Sequence, residues 1–287
     1  MLPYSSMSLG CFTGSGTIYL MNLALFLLLA ASYQRIYVFG DSYSDTGAGY
    51  VDGNGPTAVA YLAERMHTPL LASTDPKATP TSSLNFAVSG ATTGQGKGNK
   101  TGDALLGLGM ENQVDDFVAR VKARRVRFFP GQTLFYIAGG LNDRRLESAE
   151  TVGNLEARIR VLYKVGARHF ALAVLPTEIP AFREVGVRLN PVIVGIPDEL
   201  KRELPGIDIR LSRWGQYFDE VMRNPASFGI ENTKDACAGR EIFKEDATPC
   251  KSPGAYYYYH AGHPSTAVHK VVGDRLYQEL TSAAASK

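Results

Sequence analysis

From residue 35 onward, short apolar runs alternate with segments whose apolar residues recur every three or four positions. Residues 35–39 (RIYVF), 133–138 (TLFYIA) and 169–175 (HFALAVL) are nearly continuous apolar stretches, the mark of strands buried on both faces. Residues 207–211 predict a further short strand. Helical spacing runs through 56–67, 111–125, 150–167, 212–224 and 264–282. In the third of these, Val152, Leu155, Ile159, Leu162 and Tyr163 share one helix face. Residues 75–83 are rich in Pro, Ser and Thr and predict a loop. Strands separated by helices, with no repeat and no linker, predict one α/β domain over 33–287, its parallel sheet covered on both faces.

The N-terminus has a different character. No charged residue precedes Arg35, and residues 20–31 (LMNLALFLLLAA) end in small residues. That run is shorter than the roughly 20 apolar residues a stable membrane span needs. Residues 1–32 are therefore expected to carry a secretory signal cut near 30–32, which implies an extracellular or periplasmic protein; a buried N-terminal helix is the alternative. Of the three cysteines, Cys11 would leave with the signal. Cys237 and Cys250 enclose a short polar segment and would pair in an oxidising compartment, two unpaired thiols being the alternative. No His or Cys lies near them at ligand spacing, so no metal site is expected. The formal net charge is +2 with acids and bases interspersed, which carries no nucleic-acid or anionic-membrane footprint.

Candidate chemistry begins with GDSYSDTG at 40–47, directly after the first predicted strand. A serine there, Ser42, sits at the carboxyl end of a buried strand, where open α/β sheets bind their ligands. Gly-Asp-Ser alone also makes a turn or a helix N-cap. A serine hydroxyl needs a base to become a nucleophile. Of five histidines, His67 ends a helix, His169 starts a strand and His269 lies within the last helix, all structural positions. His263 precedes Pro264, which holds it extended at the mouth of that helix, as base or as cap. Acyl transfer also needs donors for a developing oxyanion. Residues 85–91 (NFAVSGA) offer a bare backbone at Gly90, and residues 140–143 (GLND) offer the amide of Asn142; each segment taken singly reads as a turn.

Together and in this order, the four segments resemble the GDSL, or SGNH, family of serine hydrolases, and the extended GDSYSDTG form is similar to its lipase/esterase branch. The resemblance runs from about residue 35 to the C-terminal helix. It implies a flavodoxin-like three-layer α/β/α sandwich with a central parallel sheet, the SGNH hydrolase fold. It also implies Ser42 as nucleophile and His263 as general base. The oxyanion hole would comprise the backbone N–H groups of Ser42 and Gly90 and the side-chain amide of Asn142. No metal or organic cofactor is implied. Substrates of the family include short-chain esters, lipids and acylated carbohydrates. An acyltransferase using the same intermediate, or a catalytically impaired binding protein on the same fold, are the competing readings. No Gly-x-Ser-x-Gly elbow is present, which argues against an ordinary α/β-hydrolase.

One position departs from the family pattern. The aspartate expected three residues before the catalytic histidine is His260. That acid ordinarily accepts the Nδ1 proton of the base and stabilises the imidazolium. A backbone carbonyl near 260–261 is the expected substitute. An acid from another loop, with Asp246 one candidate, or a bound anion are the alternatives. On this reading His260→Asp preserves or raises turnover. The tyrosines at 256–259 are read as packing a loop onto the sheet, with the lining of an acyl or sugar pocket as the alternative. Gly94-x-Gly96-x-Gly98, with Lys97 and Lys100, follows no predicted strand, lacks Walker spacing and is read as a flexible loop.

Overall fold

A computed structural model describes residues 33–285. The expected signal and Cys11 lie outside the described residues. The chain proceeds through β1 (Arg35–Gly40), α1 (Ala58–Arg65), β2 (Leu70–Ala72), β3 (Ser83–Asn85), β4 (Lys97–Thr101) and β5 (Ala104–Leu108). It continues through α2 (Met110–Lys122), β6 (Thr133–Ala138), α3 (Ser148–Lys164), β7 (His169–Ala173), α4 (Arg183–Ile193) and α5 (Ile196–Glu203). The last elements are β8 (Asp208–Ser212), α6 (Trp214–Arg223), β9 (Asn232–Ala236), β10 (Tyr256–His260), β11 (His263–Pro264) and α7 (Thr266–Ala285).

Six strands form one sheet in the order β2-β3-β1-β6-β7-β8, every pair parallel. Setting aside the edge strand β2, this is the flavodoxin-like 2-1-3-4-5 order. Helices α1, α6 and α7 pack together as one layer, and α2, α3, α4 and α5 form the other. The expected α/β/α sandwich is thus the observed fold. Burial on both faces explains the unbroken apolar runs. Ile36, Tyr37, Val38 and Phe39 of β1 and Leu134, Phe135, Tyr136 and Ile137 of β6 are almost wholly removed from water. Phe117 from α2 meets the rings of Tyr37, Phe39, Phe86 and Phe135. Each such side chain contributes about 1.5–3 kcal/mol by burial alone.

The helices follow their predicted faces. Leu155, Ile159 and Leu162 of α3 are buried, with Val152 and Tyr163 packed at the margin of the core. In α7, Val268, Val272 and Leu276 recur every four residues and point inward. Helices α1 and α7 approach so closely that a Cβ on Gly273 would fall 2.7 Å from the carbonyl oxygen of Ala58. Only a glycine permits that crossing.

Two local expectations are corrected. Residues 97–101 are a strand, not a flexible loop. They pair antiparallel with β5 from Lys97↔Leu108 to Thr101↔Ala104 across a tight turn whose Gly102 has φ +59°. The lysines face outward while the apolar side of the hairpin is supplied by β5, so β4 alone shows no alternating pattern. Residues 256–260 likewise form a strand, held between β9 and β11.

Candidate active site

The site stands where the carboxyl ends of β1, β3 and β6 converge, at the switch in strand order. After β1 the chain turns sharply: the N–H groups of Ser44 and Asp45 both donate to the Asp41 carbonyl. This lifts Ser42 out of the sheet. Gly40 is clamped by buried Gln113 of α2, whose amide accepts the Gly40 N–H and donates to the Gly40 carbonyl. A Cβ at Gly40 would collide with the Ala138 carbonyl, so glycine is required there. Asp45, fully buried, accepts the N–H groups of Gly47 and Gly49 through Oδ1 and that of Ser89 through Oδ2. Asn85 donates to the Ser44 carbonyl at 2.5 Å and to Thr46 Oγ1 at 3.0 Å. The turn bearing Ser42 and the loop bearing Gly90 are therefore one braced unit.

Gly90 has φ +79°, a left-handed conformation that favours glycine. Asn142 follows β6, and its Nδ2 donates to the Ala91 carbonyl at 2.9 Å. One amide hydrogen is used in this way, and the second remains for a guest. Next to it, Asp143 is buried and accepts from Thr93 N, Thr93 Oγ1 and Thr151 Oγ1. Ser42, Gly90, Asn142 and His263 line a cavity of about 240 Å³, whose apolar wall includes Leu106 and Phe182.

His263 arrives from the opposite end of the chain. Strands β10 and β11 form a hairpin in which His260 pairs with His263 and Gly262 turns at φ +75°. The hydroxyl of Tyr43 donates to the Gly262 carbonyl at 2.7 Å, pinning the hairpin beside Ser42. His263 Nε2 lies 2.8 Å from Ser42 Oγ. Nδ1 is 3.1 Å from the Ala261 carbonyl and 2.8 Å from Nη2 of Arg240. The two contacts at Nδ1 require opposite tautomers: the Arg240 N–H needs a lone pair there, whereas the Ala261 carbonyl needs Nδ1–H, the tautomer that leaves the Nε2 lone pair facing the serine hydroxyl.

A serine, a histidine, a left-handed glycine and an asparagine amide around one cavity sit on a parallel α/β sheet. The family model for GDSL-like lipase/acylhydrolase matches residues 36–276. The chain belongs to this family. A GDSL esterase/lipase of Arabidopsis thaliana is 22% identical over 201 residues, a match covering 62% of this chain and 52% of that relative. The chain thus spans about half the length of that protein. The GDSL esterase/lipase EXL6 of the same plant is 23% identical over 344 residues, covering 94% of this chain and 99% of its own. Among solved structures, esterase EstA from Pseudoalteromonas sp. aligns over 87% of this chain and 98% of its own, at 14% identity and a TM-score of 0.46. Membership in the GDSL-like lipase/acylhydrolase family supports an ester hydrolase or an acyltransferase.

Against the family pattern, the surroundings of His263 are rearranged. Asp52, on the loop between β1 and α1, reaches His263. Its Oδ1 lies 2.8 Å from His260 Nδ1 and 2.9 Å from Arg240 Nε, and its Oδ2 lies 3.3 Å from His263 Nε2. Burial opposes the charge of Asp52. The hydrogen bond from His260 and the electrostatic influence of His263 and Arg240 outweigh it, so its carboxyl stays below the ordinary range. For His263 burial lowers the proton affinity. Asp52 and the Ala261 carbonyl oppose that shift, while Arg240 and His260 add to it, and the net direction is down. The imidazole is neutral at neutral pH and able to accept a proton.

Asp246 does not join this group: its carboxylate accepts the Thr248 N–H on an exposed turn. Cys237 and Cys250 form a disulfide, which bounds the segment carrying Arg240. His269 is buried at the start of α7, where its Nδ1 accepts the Ala58 N–H; burial lowers its pKa to about 3. Asp52 and Arg240 are the residues that sequence reasoning missed. The one available signal was the vacant acid position at 260, which calls for an acid elsewhere, and any of 28 acidic residues met that description.

Proposed function

We propose that this protein is a secreted serine ester hydrolase that cleaves carboxylic esters through an acyl-Ser42 intermediate. The observation that carries the reading is the 2.8 Å contact between Ser42 Oγ and His263 Nε2 at a cavity bordered by Gly90 and Asn142. In the first half-reaction Nε2 takes the hydroxyl proton as Oγ bonds to the ester carbonyl carbon, and the carbonyl π pair moves onto oxygen. The Ser42 and Gly90 N–H groups and the Asn142 amide receive that oxyanion. Collapse breaks the bond to the alcohol oxygen, which leaves with the Nε2 proton. Water then repeats the cycle: its proton goes to Nε2, its oxygen attacks the acyl carbon, and Ser42 Oγ departs and regains a proton.

The apolar wall at Leu106 and Phe182 offers a surface for the acyl group. Secretion is supported by the Cys237–Cys250 disulfide, together with the apolar run at 20–31.

The test is p-nitrophenyl acetate hydrolysis by the wild type and by Ser42→Ala, with mass spectrometry after a fluorophosphonate probe. Turnover and a single adduct on Ser42 are expected from the wild type, and neither from the variant. Undiminished turnover by Ser42→Ala would overturn the proposal. A competing alcohol in the same assay separates hydrolysis from transfer.

A further inference from the structure

We infer that Asp52 and Arg240 together set the proton affinity of His263, with Asp52 supplying the negative charge that the family pattern supplies from residue 260. The inference rests on reading Ser42 and His263 as nucleophile and base.

The geometry distributes one familiar duty over several groups. In a triad, one carboxylate at Nδ1 fixes the tautomer and balances the imidazolium charge. In the tautomer that carries Nδ1–H, the Ala261 carbonyl takes the first task, and the Arg240 guanidinium then bonds that carbonyl in place of the ring nitrogen. The second falls to Asp52, which approaches the Nε2 edge at 3.3 Å. Arg240 bears on the Nδ1 edge from 2.8 Å and donates to the same Ala261 carbonyl at 2.6 Å. The ring is therefore flanked by opposite charges, the carboxylate favouring imidazolium and the guanidinium opposing it. Neither is relaxed by solvent, since the side chains of Asp52 and Arg240 are only 6% and 14% exposed.

Residue 260 retains a part in this arrangement. A carboxylate ion only accepts hydrogen bonds, so His260 must present an N–H to Asp52. The histidine at 260 thus holds Asp52 in place. Other titratable groups near His263 are Tyr43, whose ring centroid lies 5.6 Å away, and His269. Burial keeps the first neutral well beyond the alkaline range and the second neutral down to about pH 3. Asp52, Arg240 and His260 are left as the groups that act on the base.

The decisive measurement is the pH profile of kcat/KM for p-nitrophenyl acetate, which reports the pKa of the free enzyme's base. In Asp52→Asn, which keeps the shape of the side chain, the acid limb should move down by about one pH unit. The plateau kcat should fall about 100-fold with KM little changed, less than the roughly ten-thousand-fold cost of losing a triad acid outright. Arg240→Gln should move the limb up by about one pH unit, and the double variant should return near the wild-type position. A lowered plateau with an unmoved limb would make Asp52 a structural brace and overturn the inference. A wild-type profile in Asp52→Asn would do the same. Should that variant not fold, Arg240→Gln decides alone, and an unmoved or lowered limb refutes the proposal. Labelling of Ser42 in the wild type separates these outcomes from failure of the nucleophile–base reading itself.

Discussion

The hydroxyl of Tyr43 donates to the carbonyl of Gly262 at 2.7 Å, joining the neighbour of Ser42 to the neighbour of His263 across 219 positions of sequence. The phenol is buried, and burial drives its pKa far up, so it stays a donor at all working pH values. Its ring also packs against Phe182, Trp214 and Phe218. Tyr43→Phe retains the packing and removes the donor. The expected result is a loss of about 1–3 kcal/mol, read by urea denaturation. Turnover should fall by up to about tenfold, equivalent to about 1.4 kcal/mol in the barrier, because the hairpin holding the base loses its tether. Unchanged stability and turnover would show that the aromatic packing suffices.

His260→Asp is expected to reduce turnover, contrary to what the sequence alone implied. Position 260 faces an existing carboxylate, with Asp52 Oδ1 only 2.8 Å from the His260 ring nitrogen. A second carboxyl group there would share the site, and two such groups cannot both ionise freely. It would also remove the N–H that holds Asp52. Initial rates at neutral pH should drop by about tenfold or more. Retained or increased activity would mean that Asp52 swings away and the new acid takes over the base.

Asp41 makes stability depend on pH in a defined direction. Burial raises its pKa from 3.8 to about 7, and its Oδ2 has no hydrogen-bond partner. The folded protein therefore keeps this proton while the unfolded chain releases it between those values. Stability from this group is complete below 3.8 and lost as pH rises through about 7. Asp45, raised by burial to about 6, acts in the same sense. His269 works oppositely: its folded pKa of about 3 removes stability as pH falls below 6.5. Asp41→Asn should therefore gain on the wild type by a few kcal/mol between about pH 4.5 and about pH 7.5, since each tenfold difference in proton affinity between folded and unfolded chain is worth about 1.4 kcal/mol. Thermal melts at the two pH values test this, and parallel behaviour of the two proteins would refute it.

Much of the fold was legible because its signals are local. The runs IYVF and LFYIA are apolar throughout since β1 and β6 are covered on both faces, and α3 repeats its buried positions at helical spacing. Strand β4 escaped notice because its residues are half exposed and its apolar complement lies in β5. Strand β10 was obscured by four consecutive tyrosines, which show no period. Among the site residues, Ser42, Gly90, Asn142 and His263 stand in motifs with recognisable neighbours, and all four line one cavity. Their catalytic roles are the proposal made above.

By itself the sequence determined the alternation of strands and helices, because periodicity acts over a few positions, while its four ordered motifs carried the resemblance to the family and to the four residues around the cavity. What only the tertiary structure decided is the company His263 keeps. Asp52 and Arg240 lie 188 positions apart, and no spacing rule links them. They meet because the sheet order brings the loop after β1 against the loop after β9. There, burial forces two opposite charges to satisfy one another, and His263 lies against the pair.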